Sequence, residues 1–343
     1  MVNATIKTAS NCRWGPNTSY YLLDSSSSLA YEEPVQILWQ EGNFYYIQYS
    51  TSNGTKRMYY PINYIENISG TVPVKTLNPD VRYVTAATSV KYSPLSTAPS
   101  AGSLGKLENV SLLIDSSTDD PVEVGNYFFI EYSTSNTSSN NTVYRKRAWI
   151  NKSYLRTAPN VTNPSVVYAD TDGITTAQMN ANARYIFAYL TALGFSAQAA
   201  CGILGNMQQE STINPGMWQD YNNTNLGYGL VQWSSYGRFF DYAMHTDVIS
   251  SATATALNTL AANNPKKLMN AELECLIWCC ASVGDFFPPG NAASMSFSEY
   301  ATSTKSAAEL AKIFHDYYER SSDSSSVIQR RQNYAEDWYD QLA

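Results

Sequence analysis

The stretch "GNFYYIQYSTSN", Gly42 to Asn53, occurs a second time as "GNYFFIEYSTSN", Gly125 to Asn136. Eight of the twelve positions are identical, and the other four exchange Phe with Tyr or Gln with Glu. Agreement of that extent marks a duplicated unit, and a repeat dictates how the rest of the chain is divided. The same order of segments surrounds both copies. An opening turn ("CRWGPNTSYYLL" from Cys12, "VKYSPLSTAPSAGSL" from Val90) precedes a β-branched run ("PVQILW", "VSLLI"). The aromatic stretch follows, and a closing run ("RMYYPINYI", "KRAWINKSYL") ends the unit. Short runs of period two, separated by Gly, Pro, Asn and Ser, describe the antiparallel strands of a small β-barrel.

Beyond the second copy the pattern changes. "TAPNVTNPSVVYADTDGITTAQ", Thr157 to Gln178, sustains no period and reads as a linker. In "NANARYIFAYLTALGFS", Tyr185, Ile186, Tyr189, Leu190 and Leu193 share one helical face, and Gly194 is placed to stop the helix. Ser196 can cap the next helix, whose Ala200, Cys201, Leu204 and Met207 continue an apolar stripe up to Glu210. Three further helices are expected in "AELECLIWCCASVG" from Ala271, "SAAELAKIFHDYYER" from Ser306 and "VIQRRQNYAEDWYDQL". The expected architecture is therefore multidomain: small all-β barrels at 1–70 and 71–158, a linker at 159–174, and an α-helical domain at 175–343.

Composition narrows the function. A net charge of −7 argues against nucleic acid, whose phosphates need clustered Lys and Arg. Up to residue 165 there are 13 basic and 12 acidic residues, and beyond it 9 and 17, so the acidic excess belongs to the helical part. The 27 Tyr and 7 Trp are heavy aromatic use, as in chains that build small β domains or bind sugars. "MVNATIKTAS" has no basic run followed by an apolar one, and no later run has the roughly 18 apolar residues of a membrane span. The expectation is a protein made in a cytoplasm without a signal peptide and without membrane insertion. The five Cys form no regular framework; Cys275 and Cys279 share a helical face, which is half a zinc site at most. Buried thiols are the expected reading, with no metal and no organic cofactor.

One stretch carries chemistry. "GILGNMQQESTINPG", Gly202 to Gly216, ends an apolar helix on Glu210 and breaks into Ser, Thr, Asn, Pro and Gly; "GYGLVQW", Gly227 to Trp233, follows. Unsatisfied carbonyls at a helix end disfavour a second negative charge, and partial burial acts the same way. Both would raise the pKa of Glu210 and suit it to general acid work in glycoside cleavage. Gly227 and Gly229 bracket Tyr228 in a turn that lets backbone approach a ligand; Gln232 offers a donor and an acceptor. Tyr228 and Trp233 offer flat faces for sugar, although Trp233 fits a core equally well, and Ser211 could steady the acid or its loop. A second carboxylate would stand about 6.5 to 9.5 Å away in an inverting enzyme or about 5 to 5.5 Å in a retaining one. Asp220 and Asp241 are the candidates, Asp220 preferred because it lies between the two motifs. A site with no unique partner stays open.

These residues resemble known families. "CRWGPNTSYYLL … PVQILWQEGNFYYIQYS … YYPINYI" is similar to bacterial SH3-like (SH3b) domains; the second copy keeps "AWINKSYL" but has Lys91, Tyr92, Ser93 and Pro94 where the opening Arg and Gly belong. The resemblance implies attachment to bacterial peptidoglycan of a Gram-positive host. "AACGILGNMQQESTINPG … GYGLVQWSSYGR … HDYYERS … RRQNYAEDWY" resembles the phage tail lysozyme family, within the branch holding goose-type lysozymes and lytic transglycosylases. Carried over residue by residue, it implies that Glu210 is the catalytic acid, that Gly229 and Gln232 belong to the cleft, and that Arg238 and Glu319 are structural. The implied activity is an N-acetylmuramidase, acting on the wall after host lysis or as part of a virion with phage tail proteins as partners. A lytic transglycosylase uses the same acid. A cysteine amidase would need a Cys and His pair, and Cys201 sits in an apolar run far from His245 and His315. The non-enzymatic alternative is a wall-adhesion or tail protein that only binds glycan.

Overall fold

The structure, a computed structural model, describes residues 1–23, 28–134, 143–234, 237–290 and 294–343. The end of the second quoted repeat and the Ser235 and Tyr236 pair of "GYGLVQWSSYGR" lie outside the described residues. The chain divides into two compact units, Met1–Thr157 and Ala158–Ala343.

The first unit is all β, and its two halves share one topology. In the first half Pro34–Glu41, Phe44–Thr51 and Gly54–Pro61 form an antiparallel meander. Val2–Ile6 pairs with the first of these, and after a 3-10 turn at Ile62–Tyr64 the short strand Ile65–Glu66 returns to Val2–Ile6. In the second half Asn109–Asp115, Tyr127–Thr134 and Tyr144–Asn151 repeat the meander. Leu77–Val84 takes the place of Val2–Ile6, and Leu155–Thr157 closes on it after a turn at Lys152–Tyr154. The duplication in sequence is thus a duplication of two curled sheets.

The aromatic strands bury both faces, because each sheet has two partners. Phe44, Tyr46, Tyr59, Phe129 and Trp149 point one way and gather with Trp39 in one cluster that joins the halves. Their neighbours Ile47, Tyr49, Met58, Tyr60, Ile130, Tyr132, Ala148 and Ile150 point the other way into the larger core. Polar groups inside the joint are paired, as burial favours, with the exception of Trp39 Nε1, which is enclosed without a hydrogen-bond partner. Trp149 Nε1 donates to Tyr46 Oη at 2.9 Å. Arg147, 8% exposed, lies 2.8 Å from both Glu41 and Glu131, and Tyr59 donates to Glu41 at 2.8 Å. Most of the aromatic content of the repeats is therefore structural.

The second unit is helical: α1 (Thr176–Ala192), α2 (Ala197–Ser211), α3 (Arg238–His245), α4 (Ala254–Asn263), α5 (Pro265–Ile277), α6 (Phe297–Ala301), α7 (Ala307–Phe314) and α8 (Ser325–Leu342). Ser196 caps α2 as expected, its Oγ accepting from the Ala199 N–H at 3.1 Å. Three helices, α3, α4 and α6, were not expected, and α5 begins at Pro265 rather than near Ala271. The Asn264 cap and Pro265 at the first helical position are the signal for that earlier start. In α4 only Leu257 and Ala261 are buried, too few to write a stripe in an Ala, Thr and Asn background. The segment expected as linker packs on this unit. Tyr168 exchanges backbone hydrogen bonds with the Asn182 amide, and Asp170 does so with Asn214.

Helix α2 is the axis of the unit, with Ala199 to Met207 buried throughout. Two glycines let its neighbours close in. A Cβ at Gly205 would lie 2.4 Å from the Arg331 carbonyl oxygen of α8, and one at Gly202 would lie 3.0 Å from the Ala311 nitrogen of α7. The axis thereby delivers its last residues to a junction of α7, α8 and the loop that follows. No helix among the described residues is long and apolar enough to cross a membrane.

Candidate active site

Glu210 is the penultimate residue of α2, and the chain leaves the helix through two successive left-handed residues, Thr212 and Ile213. Its side chain is 18% exposed, and Oε1 accepts from Arg331 Nη2 at 2.5 Å. Arg331 comes from α8 with 3% of its side chain exposed, and also bonds Asp323 at 2.6 Å and Asn206 Oδ1 at 3.3 Å. Burial disfavours its charge, but Glu210 and Asp323 outweigh that and hold the guanidinium above its ordinary value. His315 extends the network: Nε2 stands 3.5 Å from Asp323 and Nδ1 2.9 Å from Asp316. In the structure Glu210 is one member of an ion-paired cluster whose other members the sequence reading did not assign to it.

The carboxyls gathered at this end are Glu319 and Asp323, neither expected as a partner of Glu210. Glu319 closes the π-helical turn His315–Glu319, and its Oε1 is enclosed without a hydrogen-bond partner. Burial, reinforced by the charge of Glu210, pushes it well above the usual carboxylate range. Asp220, the preferred second carboxylate, is exposed and occupied in its own turn, where Oδ1 accepts from the Asn222 N–H at 2.9 Å. Asp241 lies in the first turn of α3.

The second motif stands behind the acid. Ser211 is buried, and its Oγ donates to the Leu230 carbonyl at 3.1 Å, tying the helix end to "GYGLVQW". Tyr228 and Trp233 exchange two backbone hydrogen bonds of 3.0 Å, closing a tight loop. Gln232, in the left-handed region, donates to the Gly229 carbonyl at 2.9 Å and the Met217 carbonyl at 3.2 Å, and its Oε1 is enclosed without a partner. The Tyr228 ring lies against Trp218 at 4.4 Å, and Trp233 stacks on Phe239 at 5.3 Å. The faces expected to receive sugar are covered by protein, and both side chains are buried. Trp233 also donates through Nε1 to Tyr318 at 2.9 Å, next to Glu319. Arg238 pairs with Asp285 at 2.9 Å inside the helical unit.

Two further carboxyl and cation positions escaped the sequence reading although a signal was present. Arg331, Ala335 and Trp338 are the buried residues of α8 at helical spacing, so an Arg occupies an apolar stripe. Glu272 does the same in α5 between Leu268 and Cys275. All five Cys are buried and free, with 3.9 Å between the sulfurs of Cys275 and Cys279. Burial pushes the Cys201 thiol up to about 12, which disfavours a nucleophilic thiolate there. No cluster of His, Cys, Asp and Glu suited to a metal ion occurs among the described residues.

An acid on the last turn of a central helix, braced by a Gly-rich loop, is the arrangement against which known proteins can be compared. Residues 181–342 match the phage tail lysozyme family. That match lies within the helical unit and does not extend into the β repeats. Morphogenesis protein 1 of Bacillus phage B103 is similar at 36% identity over 167 residues, 48% of this chain. The chain spans 40% of the length of that relative.

Proposed function

We propose that the protein is a phage peptidoglycan hydrolase that cleaves the β-1,4 bond between N-acetylmuramic acid and N-acetylglucosamine, with Glu210 as general acid. The observation that carries this reading is the partly exposed carboxyl of Glu210 at the end of α2, inside a domain of the phage tail lysozyme family. For catalysis the acid gives up its contact with Arg331 and donates its proton to the glycosidic oxygen, while water attacks the anomeric carbon. Glu319, whose burial favours the protonated form, is the neighbouring carboxyl best suited to share that proton. The two β repeats are SH3-like wall-binding modules in this reading, and the exposed aromatics Tyr31 and Tyr64 of the first repeat, rather than the buried ones, are its candidate contacts. Similarity to a protein named for phage morphogenesis favours a virion component over a free endolysin.

The test is product analysis. Wild type and Glu210→Gln are incubated with Gram-positive peptidoglycan, and released fragments are reduced and identified by mass spectrometry. Wild type should release fragments with reducible muramic acid ends, and the variant should be slower by about 10² to 10⁴. Anhydro ends would mean transglycosylation by the same acid, and equal activity of the two proteins would remove Glu210 from the chemistry.

A further inference from the structure

Glu272 has no part in the acid chemistry above, yet it is fully enclosed. Its Oε2 accepts from the Leu230 N–H at 2.7 Å, while its Oε1 and the Tyr228 hydroxyl are both enclosed without a hydrogen-bond partner. Apart from that N–H, only burial acts on it, with no cationic side chain among the described residues to offset the charge. The carboxyl lies flat on Gly229: a Cβ there would stand 2.6 Å from Oε2 and 2.7 Å from both Cδ and Oε1. Gly229 also has a φ of +80°, so its identity is fixed twice, by the turn and by the carboxyl against it. The Leu230 whose N–H is held here gives its carbonyl to Ser211, the residue after Glu210.

We propose that Glu272 is a positioning residue of the site, a buried carboxyl that clamps the Tyr228–Trp233 segment beneath the helix end bearing Glu210. The inference rests on the glycosidase reading for the step being positioned, but the clamp is a property of the fold. An isolated carboxylate is costly in such a place, so the group is carried as the neutral acid. The titratable groups that interact with it are Tyr228 and Cys275, and burial holds both neutral. Folding therefore takes up a proton at neutral pH. The stability contributed by this group is full below the ordinary carboxylate range and declines as pH rises above it.

The experiment compares the full chain as wild type, Glu272→Gln and Glu272→Ala, by denaturation between pH 5 and 9 and by kcat and KM on solubilised glycan strands. Gln reproduces the shape of the neutral acid, so its stability should depend less on pH than that of wild type. Ala should lower kcat more than about tenfold at nearly constant KM, since small misplacements of a reacting group cost up to about 10². Gln should restore most of that loss. Parallel pH curves for wild type and Gln would overturn the neutral clamp. An Ala variant as fast as wild type would overturn the positioning role, as would a Gln variant as slow as Glu210→Gln. Where Ala does not fold, the Gln variant decides through both readouts. If wild type itself releases no fragments, the glycosidase reading falls, and the pH comparison still decides the clamp.

Discussion

Removing the guanidinium of Arg331 strands two carboxylates, Glu210 and Asp323, at a place where only 3% of the Arg side chain reaches solvent. Breaking a buried pair on one side typically costs about 3–5 kcal/mol, because the remaining charge is left uncompensated. Arg331→Met should lose that much in urea denaturation. Lys305→Ala, which breaks an exposed, solvent-screened pair with Glu309, should leave the denaturation midpoint essentially unchanged. A loss below about 1 kcal/mol for Arg331→Met would mean that the cluster is solvated and weak. A second residue sets a pH window in the β unit. Glu108, half-buried and accepting from the Gly105 N–H at 2.6 Å, is pushed up to about 7 by burial. Its folded value lies above its unfolded one, so its stabilisation is complete below about pH 4.5 and is lost as pH rises to about 7. Glu108→Gln should remove that loss and stabilise the unit at pH 8 by about 1–3 kcal/mol, read from denaturation midpoints at pH 5 and 8.

At the scale of elements, α2 must be held firmly for Glu210 to be placed, and its first turn is where the structure spends two bonds on one side chain. Ser196 Oγ accepts from the Ala199 N–H and donates to the Ser303 carbonyl at 2.6 Å, so it caps α2 and fastens it to the chain after α6. Ser196→Ala should cost about 1–2 kcal/mol in chemical denaturation, more than a cap that serves one helix alone. That cap was legible in sequence because its signal is local, a Ser just ahead of an apolar stripe. So were the β repeats, whose alternation and turns lie within a dozen residues of each other. The cluster around Glu210 was not, because its members Glu210, His315, Glu319, Asp323 and Arg331 come from separate segments and meet only when α7 and α8 close on the two glycines of α2. The site motif was legible as a motif but not as a surface. Tyr228 and Trp233 carry the composition of a sugar platform, and the packing of Trp218 and Phe239 over them decides otherwise.

At the scale of the whole molecule, the duplication raises the question of how many cooperative units the β part contains. Sequence suggests two, since each copy has its own complete set of strands. The joint argues for one. Trp39, Phe44, Tyr46 and Tyr59 of the first half pack with Phe129 and Trp149 of the second, and Arg147 of the second half pairs with Glu41 of the first. Either half alone would expose that aromatic face and strand the charge. Residues 1–157 should therefore unfold in one calorimetric transition with equal calorimetric and van't Hoff enthalpies, and a 1–70 fragment should not fold. Trp149→Ala, which empties the joint and leaves the Tyr46 hydroxyl without its donor, should cost about 3–5 kcal/mol and lower the single transition as a whole. Two separable transitions, with only the later one moved by Trp149→Ala, would show that the repeats fold independently and merely touch. A fused pair holds the surfaces of its two halves in one fixed arrangement, whereas independent modules would orient freely.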